Sequence, residues 1–273
     1  MCVPGCQEAV RAALTRRGFF NAAVGAGVAA TAVHSQAAQA DVPRRFSRVV
    51  DLTHTMSAEF PTFSGEPGIQ MEKKFDFKKD GFNLYWWRLL EHAGTHVDAP
   101  IHFSENGSTS ERLPVDALVV PLAVVDVEEK AKRDADYLVT RDDLASWERS
   151  YGKLPENCCV AMHSGWAAHV SDAAKFTGKD NSGMLHFPGF GVDAAEWLMK
   201  ERKVVGLAVD TLSLDHGPSK DFKVHYDWLP SERWGLENVA NLDKVPAAGA
   251  TLVVGLAKVR GATGGAARVL ALV

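Results

Sequence analysis

Cysteine is scarce in this chain, and its placement excludes a disulfide-stapled fold. Four occur in 273 residues: Cys2 and Cys6 near the start, and Cys158 beside Cys159. Neighbouring Cα atoms are about 3.8 Å apart, below the usual disulfide range, so the adjacent pair is expected to pack in a buried strand. Basic residues are not in excess either. Thirty Lys and Arg stand against 34 Asp and Glu, a formal charge of −4, which argues against a nucleic-acid binder and its basic face. Internal repeats, coiled-coil heptads and low-complexity tails are missing too. What remains is a hydrophobic content of 46%, ordinary for one large globular domain or two small ones.

The first forty residues differ from the rest. Thr15-Arg16-Arg17-Gly18-Phe19-Phe20 is a twin-arginine pattern, followed by an apolar Ala/Gly-rich stretch over 19–33 and an A-x-A site at Ala38-Gln39-Ala40. The stretch is too short and too rich in Gly and Ala for a membrane span. The expectation is a 1–40 export signal cut before Asp41, a periplasmic mature protein of residues 41–273, and no membrane association in the mature form. The leader carries a net +2, so the mature chain would stand at −6.

The chain is organised around residues 91–103, E-H-A-G-T-H-V-D-A-P-I-H-F. His92, His96, Asp98 and His102 share parity, so in an extended chain all four would face one way. Gly94, Thr95, Val97 and Pro100 disfavour a helix. Ligand atoms must lie about 2.0–2.2 Å from one ion, yet a straight strand would separate His92 from Asp98 by about 20 Å. The chain must bend, and Gly94 bends most cheaply. His96 and Asp98 make a two-ligand bite that His92 folds back to join. Imidazole and carboxylate donors suit Zn²⁺ or Mn²⁺ and disfavour copper(I).

H-x-G-T-H-x-D-x-P-x-H-F resembles the signature of the cyclase family of metal-dependent hydrolases, which includes bacterial kynurenine formamidase and isatin hydrolase. The match runs unbroken from His92 to Phe103, and the likeness extends from about Val49 to the C-terminus. The resemblance implies a single α/β domain with a β-barrel-like mixed sheet and flanking helices, the swivelling β/β/α type. It implies a second metal position completed by His225 and Glu237, with Asp98 bridging the ions if there are two. It makes His102 the proton donor and acceptor, and sets an aromatic, here Phe63, against the substrate. It also implies a homo-oligomer, a dimer or tetramer.

Elsewhere the pattern predicts strands over 48–52, 82–90, 121–127, 157–163, 204–209, 251–259 and 266–273. Helices are predicted over 140–151, with a Thr140/Asp143 capping box, and over 192–203. Phe60 and Phe63 are expected in a mini-core within the 53–68 loop; Trp86, Arg88 and Leu90 share the parity of His92 and are expected in core packing, the alternative being that one of them flanks the pocket. Ser164 in H-S-G-W lacks the G-x-S-x-G context of a nucleophile. The family's similar Thr/Ser-Gly-Trp turn sets this stretch near the pocket. Asp210 and Asp215 in D-T-L-S-L-D are expected in structural roles, as loop caps or as acceptors behind the metal ligands. Gly261-Ala262-Thr263-Gly264-Gly265 reads as a hairpin connection, since no G-K-[ST] follows.

The chemistry these features imply is attack of metal-bound hydroxide on an amide, formamide, lactam, ester or lactone carbonyl of a small molecule, with His102 protonating the leaving group. Export argues against kynurenine formamidase itself, whose substrate arises in the cytosol. The competing expectation is a non-catalytic periplasmic protein that binds a metal or a small carboxylate.

Overall fold

The apolar runs of the sequence become strands of a sheet that closes on itself. In the computed structural model, which describes residues 46–273, the strands are β1 Val49–Asp51, β2 Ile69–Phe75, β3 Leu84–Leu89, β4 His96–Asp98, β5 Val119–Asp126, β6 Leu138–Val139, β7 Cys159–His163, β8 Gly189–Phe190, β9 Gly206–Val209, β10 Trp234–Glu237, β11 Ala250–Leu256 and β12 Gly264–Leu272. The 1–40 leader and its cleavage site lie outside the described residues. Seven strands form a barrel in the order β12-β11-β5-β7-β9-β10-β4, and β4 pairs back onto β12. Here β5, β7, β9 and β10 run parallel, while β11, β12 and β4 join antiparallel. One edge of β12 carries two partners: residues 264–266 pair with β4 and residues 270–272 with β1.

The barrel interior is apolar. Val97, Val120, Leu122, Cys159, Ala161, Ala208, Leu236, Leu252 and Val269 fill it around Trp234. The indole lies across Gly206, where an added Cβ would come within 2.2 Å of the ring, and its Nε1–H donates to the Ala117 carbonyl at 3.0 Å. The opposite faces of β5, β7 and β9 present Ala123, Val125, Val160, Met162, Leu207 and Val209 to the helices Arg141–Tyr151 and Val192–Trp197. Burial on both faces is why the parallel strands read as unbroken apolar runs.

The two cysteines separate accordingly. Cys158 packs in the helix layer and Cys159 in the barrel interior; both are free, and burial pushes the Cys158 thiol up to about 12. Helix Arg141–Tyr151 opens on Thr140 with both halves of the capping box formed. Leu144 and Trp147 are buried beneath it, whereas Tyr151 is exposed. The expected 192–203 helix is α-helical to Trp197 and continues as a π-turn over Leu198–Arg202.

The 92–102 stretch bends as expected, at Gly94 with φ +67°: only His96–Asp98 is β-structure, and Pro100 opens a 3₁₀ turn, Pro100–Phe103. One expectation fails. Trp86 and Leu90 are exposed rather than packed in a core, because β3 pairs only with β2, in a hairpin outside the barrel. Strand β2 itself was not anticipated, since its Q-M-E-K-K sequence has no buried face to create a pattern.

Candidate metal centre

Strand register builds the site. Because β4 lies between β10 and β12, His96 has Glu237 directly opposite it, and Asp98 has Gly235 on one side and Gly264 on the other. Side chains opposite each other on one face of a sheet have Cβ atoms about 4.5–5.5 Å apart, so pairing brings Glu237 to His96 across 141 residues of sequence. Val97 and Leu236 point into the barrel, which turns His96, Asp98 and Glu237 outward, beneath the loops. Glycine at 264 is required: a Cβ there would lie 2.3 Å from the Val97 carbonyl and 2.6 Å from His92 Cε1. Gly94, with φ +67°, makes the bend that returns His92 to this cradle.

Each imidazole is oriented by its other nitrogen. His96 donates from Nδ1 to the Gly94 carbonyl at 2.8 Å. Its Nε2, left without a hydrogen-bond partner, lies 3.3 Å from Asp98 and 3.4 Å from Glu237. His225, on helix Lys223–Trp228, bonds through Nδ1 to Asp215 at 2.6 Å. This directs its Nε2 to Glu237 at 3.1 Å and Asp98 at 3.6 Å. Asp215 also accepts from the Val224 and His225 amides, so it fixes both the backbone and the tautomer of His225. His92 Nε2 meets Thr263 Oγ1 at 2.8 Å. Since that hydroxyl donates to Glu91, it accepts from His92, leaving Nδ1 facing Asp98 at 2.6 Å.

These groups want a cation among them. Burial pulls His96 down, but Asp98 and Glu237 outweigh it and raise it to about 10. Burial likewise opposes the charged form of His225, yet Asp215, Asp98 and Glu237 hold it well above the usual imidazole range. Asp98, which burial alone would raise, is held well below the carboxylate range by His96, His225 and His92. Asp98 Oδ2 and His96 Nε2 are both buried without a partner, a costly state unless something else binds them. Ligand atoms of His92, His96 and Asp98 lie within 4.8 Å of one another, and so do those of Asp98, His225 and Glu237. The donor set fits one divalent ion or two, with Asp98 common to both positions.

His102 stands apart from both groups. Its ring stacks on His92 with centroids 3.7 Å apart and 15° between planes, and meets His225 edge-on at 6.2 Å. Burial, with His92 and His225 adding to it and Asp98 opposing, pushes its pKa down to about 4. His92, His225 and Glu237 of the two metal groups, together with His102, border a cavity of about 220 Å³ whose other walls include Pro61, Phe63, Phe103, Leu212 and Phe222. Phe63 is 44% exposed and packs against Phe187 and Phe222, while Phe60 is the buried half of the expected mini-core.

The structure therefore brings His92, His102, His225, Glu237 and Phe63 to one cavity, with His96 and Asp98 buried behind its wall against His92, His225 and Glu237. It does not bring the H-S-G-W stretch there. Asp210 accepts from the Ser164 amide and hydroxyl and the Trp166 amide, capping that turn beside a separate cavity that includes His163. Trp166 reaches only the packing behind Leu212. Sequence reasoning missed Glu91, Thr263 and the two glycines flanking Asp98. The compact Gly-Ala-Thr-Gly-Gly connection was the available signal, for a hairpin turn pressed this tightly must face something.

A family model described as a putative cyclase matches residues 50–216. Isatin hydrolase of Roseibium aggregatum is 32% identical over 242 residues, covering 82% of this chain and 91% of the relative. Kynurenine formamidase of Bordetella petrii is 27% identical, covering 70% of this chain and 82% of its own length. Among solved structures, an isatin hydrolase bound to the product analogue thioisatinate superposes with a TM-score of 0.78 at 31% identity, covering 83% of this chain and 92% of that one. Sequence, barrel and the run from His92 to Phe103 lead to one placement: this chain belongs to the cyclase family of metal-dependent hydrolases.

Proposed function

We propose that the protein hydrolyses the carbonyl of a small aromatic lactam or amide, with the related lactones and esters as the next class. The observation that carries this is the sharing of Asp98 between two ligand groups, beside a histidine that belongs to neither. His92, His96 and Asp98 would hold one divalent ion, Zn²⁺ or Mn²⁺, and His225, Glu237 and Asp98 a second. A bound ion supplies a water acidified towards neutrality and a Lewis acid for the carbonyl.

The remaining work falls to this chain's own side chains. Neutral His102 accepts a proton at its imidazole and returns it to the leaving nitrogen or oxygen. Stacking on His92 keeps that ring at the cavity wall. Asp215 and the Glu91–Thr263 pair hold His225 and His92 in the tautomers that face the centre. Phe63, Phe103 and Phe222 give the substrate a flat apolar seat, and the names of the relatives, isatin hydrolase and kynurenine formamidase, agree with an aromatic amide class.

The twin-arginine leader supports a periplasmic location, and the family resemblance supports a homo-oligomer. The test is metal analysis of the protein purified from the periplasm, paired with turnover on matched aromatic lactams, formamides, lactones and esters. Stoichiometric Mn or Zn with lactam or amide hydrolysis is expected. A metal-free protein, or a metal-loaded one inert on the whole panel, sinks the proposal.

A further inference from the structure

Helix Lys223–Trp228 carries His225 and opens on Phe222, a residue that breaks two local rules. An N-cap is normally extended and offers a side-chain oxygen to the first free amides, which is why Ser, Thr, Asp and Asn lead there. Phe222 has no such oxygen, and its backbone is left-handed, with φ +48° and ψ +43°. In that conformation an L-residue presses its Cβ on the following carbonyl oxygen, and for a bulky side chain it is an outlier. The other non-glycine residues of positive φ among the described residues are Asn157, Lys203, Glu232, Asn238 and Asn241. Asparagine tolerates the conformation. Lys203 and Glu232 end helical turns, where a left-handed residue is common. Phe222 has neither reason.

The missing cap comes from upstream. Asp215 accepts from the Val224 amide at 2.9 Å and the His225 amide at 3.1 Å, and it meets His225 Nδ1 at 2.6 Å. The Phe222 amide donates to Ser219 Oγ at 3.2 Å, and that hydroxyl lies 3.4 Å from Asp215. The strained backbone is thus fastened to the carboxylate that aims a candidate metal ligand. The ring follows from it. Its centroid lies 5.9 Å from that of Phe63, 5.8 Å from Phe103 and 6.0 Å from His225, all within the range of favourable ring pairs. Phe63 and Phe103 reach the cavity from separate segments, and Phe222 touches both of them and the imidazole. A local rule broken without a local benefit marks a functional position. The benefit here is a flat surface held firmly beside His225.

We propose that Phe222 is the specificity-determining residue of the cavity: its left-handed backbone sets a planar wall beside the metal centre, and that wall selects a carbonyl carried on a flat aromatic ring over one carried on a puckered saturated ring of the same size. A flat ring meets the wall in offset stacking, whereas a puckered ring holds part of its atoms away and forfeits their contacts. The inference rests on the reading of the protein as a hydrolase and adds the residue that chooses among its substrates.

The probe is a matched pair, a benzo-fused lactam and its ring-hydrogenated analogue, given to the metal-loaded protein. The ratio of their kcat/KM values is compared between variants, so that general damage and the intrinsic reactivity of the two compounds cancel. Phe222→Leu keeps apolar bulk and loses planarity; it should lower the ratio about tenfold, chiefly by raising KM for the aromatic member. Ser219→Ala removes the acceptor that holds the Phe222 amide and should lower the ratio by less. Phe222→Gly and Phe222→Ala both delete the ring, so the difference between them reads the backbone. The glycine variant should unfold about 2–4 °C above the alanine variant, the reverse of the order at ordinary positions.

An unchanged ratio in Phe222→Leu overturns the selection by this wall. An alanine variant at least as stable as the glycine variant overturns the strained backbone that sets it. A metal-loaded protein inert on both lactams and on the matching amides and esters overturns the hydrolase reading and this inference together, whereas turnover with an unmoved ratio overturns this inference alone.

Discussion

Residues 84–90 and 92–98 are neighbours in sequence and opposites in solvation. The first, L-Y-W-W-R-L-L, is apolar and exposed; the second, H-A-G-T-H-V-D, carries two histidines and an aspartate and is largely buried. Hydrophobicity read locally would exchange them. What decides is the partner each segment finds. β4 has a strand on both edges and Val97 plugged into the barrel, so its polar residues are carried under cover by a backbone that cannot leave. β3 has only β2. Burial of polar groups and exposure of apolar ones are both expensive, and in 92–98 the expense falls on His96 Nε2 and Asp98 Oδ2, the buried atoms without a partner that mark where a cation would sit.

The comparison breaks most severely at Asp98. Asp98→Asn should empty the centre and reduce turnover to background, a loss beyond the about 10²–10⁴-fold that removal of a proton shuttle alone produces. Metal content by mass spectrometry, with circular dichroism to verify folding, reads this; full occupancy in the variant would show that Asp98 is not needed to hold the ion. His102→Ala comes next. It should keep its metal and lose about 10²–10⁴-fold in kcat, and a metal-free product would make His102 a ligand. Phe63→Ala acts only on the seat, raising KM about tenfold, within the 10–200-fold scale of small changes in an apolar pocket, while kcat moves little. A kcat collapse at unchanged KM would remove Phe63 from the substrate wall.

Much of this centre was legible because it is local. The H-x-G-T-H-x-D spacing carries three candidate ligands and the Gly94 bend, and parity correctly joined His96 to Asp98. Parity failed at His102 because Pro100 converts the chain to a 3₁₀ turn, which delivers the ring by stacking instead of by alternation. His225 and Glu237 were reachable only through the family resemblance, since their proximity depends on β4 pairing with β10, a long-range register no window of sequence contains. The parallel half of the barrel was visible as apolar runs over 121–127, 157–163 and 204–209. Barrel closure was not, for it depends on three-residue contacts of β4 with both neighbours. The hairpin departs from expectation for a simple reason: aromatic strands usually face a core, and β3 pairs only with β2, outside the barrel.

The smallest effect is expected at a carboxylate that shares the burial of Asp98 and none of its frustration. Asp143 is 7% exposed, yet it accepts from the Thr140 amide and hydroxyl, both 2.8 Å away, from the Tyr137 hydroxyl at 2.8 Å, and from Lys130. Burial would raise its pKa, but Lys130, Thr140 and Tyr137 outweigh it and hold the group below the ordinary carboxylate value. A depressed folded pKa means the unfolded chain binds the proton more readily. The stability this contributes is therefore present above the unfolded pKa of about 3.9 and is lost as pH falls through the lower folded value. Asp143→Asn should cost about 1 kcal/mol at pH 7, the scale of a lost helix cap, and leave bound metal and turnover at their original values. Denaturation of both proteins from pH 7 down to pH 3 should bring their stabilities together at the acid end. A gap that stays constant through that range would mean the charge on Asp143 contributes nothing. A loss of metal would mean that a fully bonded buried carboxylate and an orphaned one cannot be told apart by their partners.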